Sequence, residues 1–372
     1  MSSIRATLSK IPAGLSKALA TYRDNHLRKS RMKVGHKALL VKQGKHLPIS
    51  SSQREEILSF WRQYRDVSKY MPWFEFYNWC SDGKADLKYY IPDDIYYAEV
   101  DFFFTSPRRS YELDDKNLYD LYFHGIRMPK TVIRKCNGLL MDKDYHVIDL
   151  QRAIELCREA QHVISKPARN SEGGKGIQFI DFDQDNAVDA LKECLQYPFD
   201  LIVQEIVKQH DAINQLYDKS VNSIRIMSII LDGKIHIVSS VIRMGRDGAK
   251  VDNTSHGGLV CGLTSDGKLR ETGFDKTGTK WTKHPQGAVF KDFQIVGYDK
   301  CVDIIHEVAG RLGSSTLLIS WDFAIDQDGE PVIIEANMTF GGVNIHQMCN
   351  GPIFGDMTED ILSRVYHSTS KS

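Results

Sequence analysis

Two carboxylates and a carboxamide on the arms of one hairpin have the right chemistry to hold a divalent cation. In "WDFAIDQDGEPVIIEAN", residues 321–337, the Asp328-Gly329 pair reads as a tight hairpin turn. Counting outward from a two-residue loop pairs Gln327 with Glu330, Asp322 with Glu335 and Ser320 with Asn337. Strand side chains alternate, so Asp322, Glu335 and Asn337 fall on one face, and Trp321, Phe323, Ile325, Val332, Ile334 and Ala336 on the other. The apolar face is core, and the opposite face carries the oxygen ligands. Facing carboxylates repel one another unless a cation or protons lie between them. Hard oxygen ligands select magnesium, which keeps several waters and shares its remaining positions with substrate phosphates. The plain alternative is an acidic patch on a solvated strand face.

A second stretch, "ISKPARNSEGGKGIQFI" at residues 164–180, places Lys166 on an apolar run ahead of a glycine-rich polar loop. It is not a P-loop, because Lys175 is followed by Gly176 and then by an alternating, strand-like run rather than by Ser or Thr opening a helix. Ser171, Gly173, Gly174 and Gly176 let backbone N–H groups approach phosphate oxygens, and a lysine supplies a point charge. A flexible linker is the bland reading of the same residues. With few apolar groups to bury, 169–176 is expected to be mobile and to close on a nucleotide. The run "VQEIV" could meet an adenine edge through backbone groups of Glu205 and Val207, and Arg225 lies on an apolar strand where burial without an anionic partner is costly.

These residues need elements to hold them. Leu8, Ile11, Leu15, Leu19 and Tyr22 recur at helical spacing, so the first thirty residues read as an amphipathic basic helix. It packs on the body through its apolar face or meets an anionic membrane surface or phosphate-bearing lipid carrier. A second helix starts near Ser50, and an aromatic-rich core segment, broken at Asp82-Gly83 and Pro92, follows it. From about residue 113 helices and strands alternate: "LQRAIELCREAQH" and "DNAVDALKECLQ" as helices, "VISKPA", "GIQFIDF" and "DLIVQEIV" as strands. Paired strands follow around Asp232-Gly233 and Asp266-Gly267, then the helix "YDKCVDIIHEVAGRLG" and the last hairpin.

In this order the pieces resemble the ATP-grasp superfamily over roughly residues 113–345: "DDKNLYDLYFHGIRMPKTV", "ISKPARNSEGGKGI", "VQEIV", "SIRIMSIILDGKIHIVSSVIRMGRDGAKVDNTSHGGLV" and "WDFAIDQDGEPVIIEAN". "YIPDDIYY", "DDKNL" and "VDNTSHGGL" look most like the sugar-transfer-associated ATP-grasp group linked to surface polysaccharide synthesis. The resemblance implies an α+β class with the ATP-grasp fold, a small α/β lid domain and a larger antiparallel-sheet domain clasping ATP, behind a helix-rich N-terminal region. It divides the chain at 1–112, 113–206 and 207–372. It further implies that Lys116 and Lys166 bind ATP phosphates, that Ser171 and Gly173 to Gly176 close over them, and that Gln204, Glu205 and Val207 hold adenine. Arg225 and Arg243 would stabilise the transferring phosphoryl group or an acyl-phosphate, Asn253, His256, Gly257 and Gly258 would form a substrate-side loop, and Asp322, Glu335 and Asn337 would bind magnesium, or manganese in its place. The usual ribose-binding acid after the hinge is missing, leaving His210 or Asp211; "MTFGG" after Asn337 lacks the Pro-Gly of amino-acid ligases; and the front hundred residues show no Rossmann-like first domain.

The implied activity is an ATP- and magnesium-dependent carboxylate-amine ligase working through an acyl-phosphate on small-molecule substrates, sugar-linked or lipid-carrier-linked among them. Its rivals are a kinase on the same fold and a nucleotide-binding regulatory protein. Lysine plus arginine equal aspartate plus glutamate at 48 each, which advertises no nucleic-acid partner, although residues 1–45 hold eleven basic residues against Asp24 alone. Seven cysteines without a CxxC pair fit a reducing cytoplasm. No signal peptide or spanning segment is expected, and peripheral contact at the inner membrane face remains open to the basic first helix.

Overall fold

The computed structural model describes residues 13–42, 44–105, 110, 113–169, 176–313 and 316–367. The expected basic helix is α1, Ala13–Leu40, 28 residues that run past the expected end near residue 30; Leu8 and Ile11 lie outside the described residues. It continues through Gly35 because the helix passes against the backbone of the "DD" turn there: a Cβ at Gly35 would come within 2.4 Å of the Asp94 amide nitrogen. Arg31 fastens the same contact, pairing with buried Asp101 at 3.0 Å while its guanidinium lies over the Phe340 ring. Among the described residues no helix is long and apolar enough to cross a membrane.

The second helix, α2 (Ser51–Trp61), opens on a capping box in which Ser50 Oγ accepts from the Gln53 N–H and Gln53 Oε1 accepts from the Ser50 N–H. In α3 (Met71–Cys80) the aromatic run is core: Trp73, Phe74, Phe76 and Tyr77 are buried, and Tyr77 stacks on Tyr90 at 4.6 Å.

Within this aromatic core two adjacent acids are buried. Asp93 accepts from the Tyr77 hydroxyl at 2.6 Å and Asp94 from the Trp73 indole at 2.7 Å. Burial pushes Asp93 up to about 7 from an ordinary 3.8, against the pull of the Tyr77 hydrogen bond and Lys42. The folded state therefore favours the neutral carboxyl, so stability should fall as pH rises from 3.8 towards 7 and level off above that. Asp93→Asn is expected to flatten this decline and to raise the melting temperature at about pH 8. Thermal melts across the range check it, and an unchanged slope would show that Asp93 is not the group responsible.

Two antiparallel sheets follow. The first has the order β3-β2-β1-β6-β4-β5, from β1 (Thr131–Cys136), β2 (Leu139–Asp142), β3 (Val147–Ile148), β4 (His162–Pro167), β5 (Gln178–Asp181) and β6 (Leu201–Glu205). Helices α4 (Leu150–Ala160) and α5 (Ala187–Leu195) cover one face through Ile154, Cys157, Leu191 and Cys194, packed on Val163, Leu201 and Val203. Alternation along β4 then turns Ile164 and Lys166 to the opposite face.

The second sheet has the order β11-β10-β9-β8-β7-β12-β13, from β7 (Ile224–Leu231), β8 (Lys234–Met244), β9 (Leu259–Leu263), β10 (Leu269–Asp275), β11 (Lys280–Trp281), β12 (Leu318–Ile325) and β13 (Pro331–Asn337). One face packs on α6 (Tyr298–Leu312) through Ile226, Trp321, Phe323 and Ile333. The other meets the N-terminal aromatics, α7 (Val343–Asn350) and α8 (Thr358–His367), so the front of the chain shares a core with this sheet. As expected, β7 and β8 turn at Asp232-Gly233, both at positive φ, with Leu231 facing Lys234.

The last hairpin pairs Ser320 with Asn337 and Asp322 with Glu335, as the count required, but by a different route. Its loop has three residues, not two: Asp326 N–H donates to the Glu330 carbonyl, and Gly329 takes a left-handed φ of 78°. The Asp326 carboxylate caps this loop by accepting from the N–H groups of Asp328 and Glu330, each at 3.0 Å. A bulge on β13 restores the register, with Asp322 opposite Glu335 and Phe323 opposite Ile333, so that Ile334 is the extra residue. Ile334, expected in the core, consequently lines a cleft, and Ile333 takes the core position.

Candidate active site

Between the two sheets lies a cleft of about 830 Å³. One wall is β4 and β5 with Ile164, Lys166 and Phe179; the other is β7, β12 and β13 with Arg225, Asp322 and Glu335; α1 reaches its rim with Val34. Arg225, Asp322 and Glu335 are consecutive cross-strand neighbours on β7, β12 and β13, forming a row of alternating charge across the sheet.

That row is joined by two more cations. Arg225 donates to both oxygens of Asp322 at 2.7 Å, Arg243 to Oδ2 at 3.0 Å, and Lys116 Nζ lies 2.6 Å from Glu335 Oε1. The repulsion expected between facing carboxylates is thus met by protein cations. Burial alone would raise the Asp322 carboxyl, but Arg225 and Arg243 outweigh it and hold it down to about 2. Burial lowers Lys116, yet Glu335 with Asp114 behind it outweighs that and leaves its pKa raised. Lys166, fully buried and repelled by Lys116, is pushed down to about 8. The lysines are brought together by backbone: Lys116 sits on a short turn whose N–H donates to the Ala168 carbonyl, just past the end of β4.

The cleft gathers most of the residues read from the sequence. Lys116, Lys166, Glu205, Val207, Arg225, Arg243, Asn253, Asp322, Glu335 and Asn337 all line it. Gln204 is buried just before Glu205, donating to the Pro129 carbonyl and leaving its buried Oε1 without a partner among the described residues. Glu205 gives its N–H to the Lys130 carbonyl. Ser171, Gly173 and Gly174 lie outside the described residues, and Gly176, at a φ of 75°, packs against Pro167. Besides Gln204 and Gly176, five further candidates are not among the cleft-lining residues. His210 caps a short helix by accepting from the Ala212 N–H, and exposed His256 lies with Gly257 and Gly258 on the turn beyond Asn253. Asp211 sits inside the helix that His210 caps, and it too is not among the cleft-lining residues.

Several participants were missed. Ser223 Oγ accepts from Arg243 Nε at 2.9 Å, and Asp252 Oδ2 accepts from the Ser223 N–H at 2.9 Å, giving Arg243 a second anchor besides Asp322. Tyr119 O–H donates to the Ala336 carbonyl at 3.2 Å, tying the Lys116 turn to β13. A signal existed for the first pair: two buried guanidiniums need more acceptors than one aspartate offers. Tyr97 and Phe340 line the cleft with rings 5.3 Å apart, and nothing in the local sequence marks them as a pair.

The donor set fits a hard cation in part. Asn337 donates through Nδ2 to the Ser320 carbonyl at 3.2 Å, leaving its carboxamide oxygen for a ligand, and Glu335 is partly exposed. Asp322 is shared by two arginines, so a metal ligated there would compete with them for its oxygens. Two cationic lysines and a strand-edge hinge on the same cleft suit a polyphosphate with an attached base.

A family model described as sugar-transfer associated ATP-grasp matches residues 102–361. No curated protein matches the chain. Among solved structures, D-alanyl-alanine synthetase A from Vibrio cholerae O1 biovar eltor is similar at 15% identity and TM-score 0.41, over 71% of this chain and 67% of that one. D-cycloserine synthetase DcsG is similar at 13% identity and TM-score 0.42, over 70% and 73% respectively. The ATP-grasp ligase PsnB, complexed with a phosphomimetic variant of its minimal precursor, Mg and ADP, is similar at 12% identity and TM-score 0.42 over 70% of this chain; the chain spans 61% of PsnB.

Proposed function

The chain belongs to the sugar-transfer associated ATP-grasp family, and from that premise we propose that it is an ATP-dependent carboxylate-amine ligase acting in surface polysaccharide or amino-acid/sugar conjugate synthesis. The observation that carries this reading is the convergence of Lys116, Lys166, Arg225 and Arg243 with Asp322, Glu335 and Asn337 on one cleft. Such a set neutralises charge and positions substrates, which is most of what phosphoryl transfer asks of a protein.

In this reading Glu205 and Val207 meet the base, and Lys166 and Lys116 hold phosphate oxygens. Glu335 and Asn337 hold magnesium, with Asp322 joining them if Arg243 swings to the substrate. Bound magnesium supplies charge stabilisation at the transferring phosphoryl oxygens. Arg225 and Arg243 face the substrate end, where they orient a carboxylate and offset the charge of its acyl-phosphate.

The test is ADP formation from magnesium-ATP with uronic acids and amino acids supplied singly and in pairs. A ligase gives ADP that depends on both a carboxylate and an amine, with orthophosphate released in equal amount. ADP from a single acceptor without orthophosphate would identify a kinase, and nucleotide binding without turnover for any pair would leave a regulatory binder.

A further inference from the structure

The substrate end of this cleft holds a carboxylate that the phosphoryl-transfer machinery does not use. Asp322 is taken by Arg225 and Arg243, Glu335 by Lys116 and Asp218 by Lys219. Glu205 sits at the hinge beside Lys130. Asp252, on the loop after β8, lines the cleft next to Arg243 and Asn253. Its Oδ2 accepts from the Ser223 N–H and from the Ser223 hydroxyl, with Arg243 Nε 3.7 Å away. Among the described residues no hydrogen bond is made by Oδ1. One oxygen is thus clamped to the sheet, which fixes the carboxylate plane, and the other is left for a ligand at the edge of a cleft crowded with cations.

We propose that Asp252 is the catalytic residue that binds the incoming amine as its ammonium ion and takes its first proton. This rests on the ligase reading above. An amine arrives protonated at neutral pH and cannot attack in that form, while Arg225, Arg243, Lys166 and Lys116 would repel it. A carboxylate beside Arg243 both attracts the ammonium and accepts its proton, freeing the nitrogen lone pair. The nitrogen then bonds to the acyl carbon as the bond from that carbon to the phosphate-bearing oxygen breaks. The electron pair leaves with the phosphate, which takes the second proton, and Asp252 returns the first to solvent. The Ser223 clamp gives the arrangement economy, since the residue that steadies Arg243 also aims the base.

Ammonium chloride and hydroxylamine separate this role from simple positioning. Both nucleophiles are small, but hydroxylamine is largely unprotonated at neutral pH and needs no base to free its lone pair. With a uronic or amino acid that supports product formation, Asp252→Asn should lower the ratio of amide to hydroxamate formation about 100-fold. The defect should shrink as pH approaches the pKa of ammonium. Ser223→Ala, which removes the hydroxyl that holds Arg243 but keeps the backbone N–H that aims Asp252, should lower both products and leave the ratio near the parent's. An unchanged ratio in Asp252→Asn overturns the proposal, as does a ratio that falls equally in Ser223→Ala. No product from the parent protein with either nucleophile would instead remove the ligase reading on which it depends.

Discussion

Glu335→Gln is expected to lower ATP turnover by about a hundredfold or more while the chain stays folded, because metal stabilisation of transferring phosphoryl charge is worth several kcal/mol. The exchange keeps shape and removes one charged ligand from the row Arg225, Asp322, Glu335. Its effect on stability has a sign that register alone would give wrongly. Repulsion between facing carboxylates predicts that the glutamine variant melts higher in chelator. The ion pairs reverse this: Asp322 is held by two arginines, and Glu335 is the anion beside Lys116. Without it Lys116, only 3% exposed, loses the carboxylate that lies 2.6 Å from its Nζ. The variant should therefore be less stable than the parent in chelator, by about 2 kcal/mol given that Glu335 is partly exposed. Asp328→Asn is the control, since Asp328 is exposed at the turn; its turnover should stay within about twofold of the parent. Full turnover in Glu335→Gln, or an equal loss in Asp328→Asn, would remove this hairpin from the metal site.

The same hairpin shows what could be read from residues alone. Alternation and turn chemistry put Asp322 opposite Glu335, and the pairing is there. The loop was one residue longer than the Asp-Gly signal suggested, because Asp326 caps it, and the bulge at Ile334 absorbed the difference. Each deviation alone would have turned Glu335 away from Asp322. A carboxylate cap and a bulge depend on backbone geometry that binary patterning does not encode. The partners of the site residues were hidden for another reason: they come from distant segments. Lys116 meets Glu335 across more than two hundred residues, and Arg31 reaches Asp101 and the Phe340 ring from α1. The basic first helix, legible as a helix, gave no sign that Val34 would stand at the rim of the cleft. His210, a candidate for the missing ribose-binding acid, takes a capping role in the structure that any acceptor side chain at that place could fill.

Lys166→Met should move two measurements in opposite directions, which makes it the sharpest test of the phosphate end. In the parent, burial and Lys116 push Lys166 down to about 8 from an ordinary 10.5. The folded state thus disfavours the ammonium. Stability should rise as pH goes from about 8 towards 10.5, and at neutral pH the protein carries the full cost of the buried charge. Methionine fills similar volume without that charge, so the variant should melt higher than the parent at pH 7 and lose the rise at alkaline pH. Nucleotide binding should go the other way. A charged hydrogen bond to phosphate contributes about 1.5–3 kcal/mol, so affinity for ATP should fall about 10- to 100-fold. In the parent that affinity should weaken above about pH 8, where the free enzyme must take up a proton to bind, and this step should be missing from the variant. Calorimetric titration with ATP and thermal melts on the same preparations check both. A variant that melts lower and binds ATP as well as the parent would mean that Lys166 is a packing residue, and that phosphate is held elsewhere on the cleft.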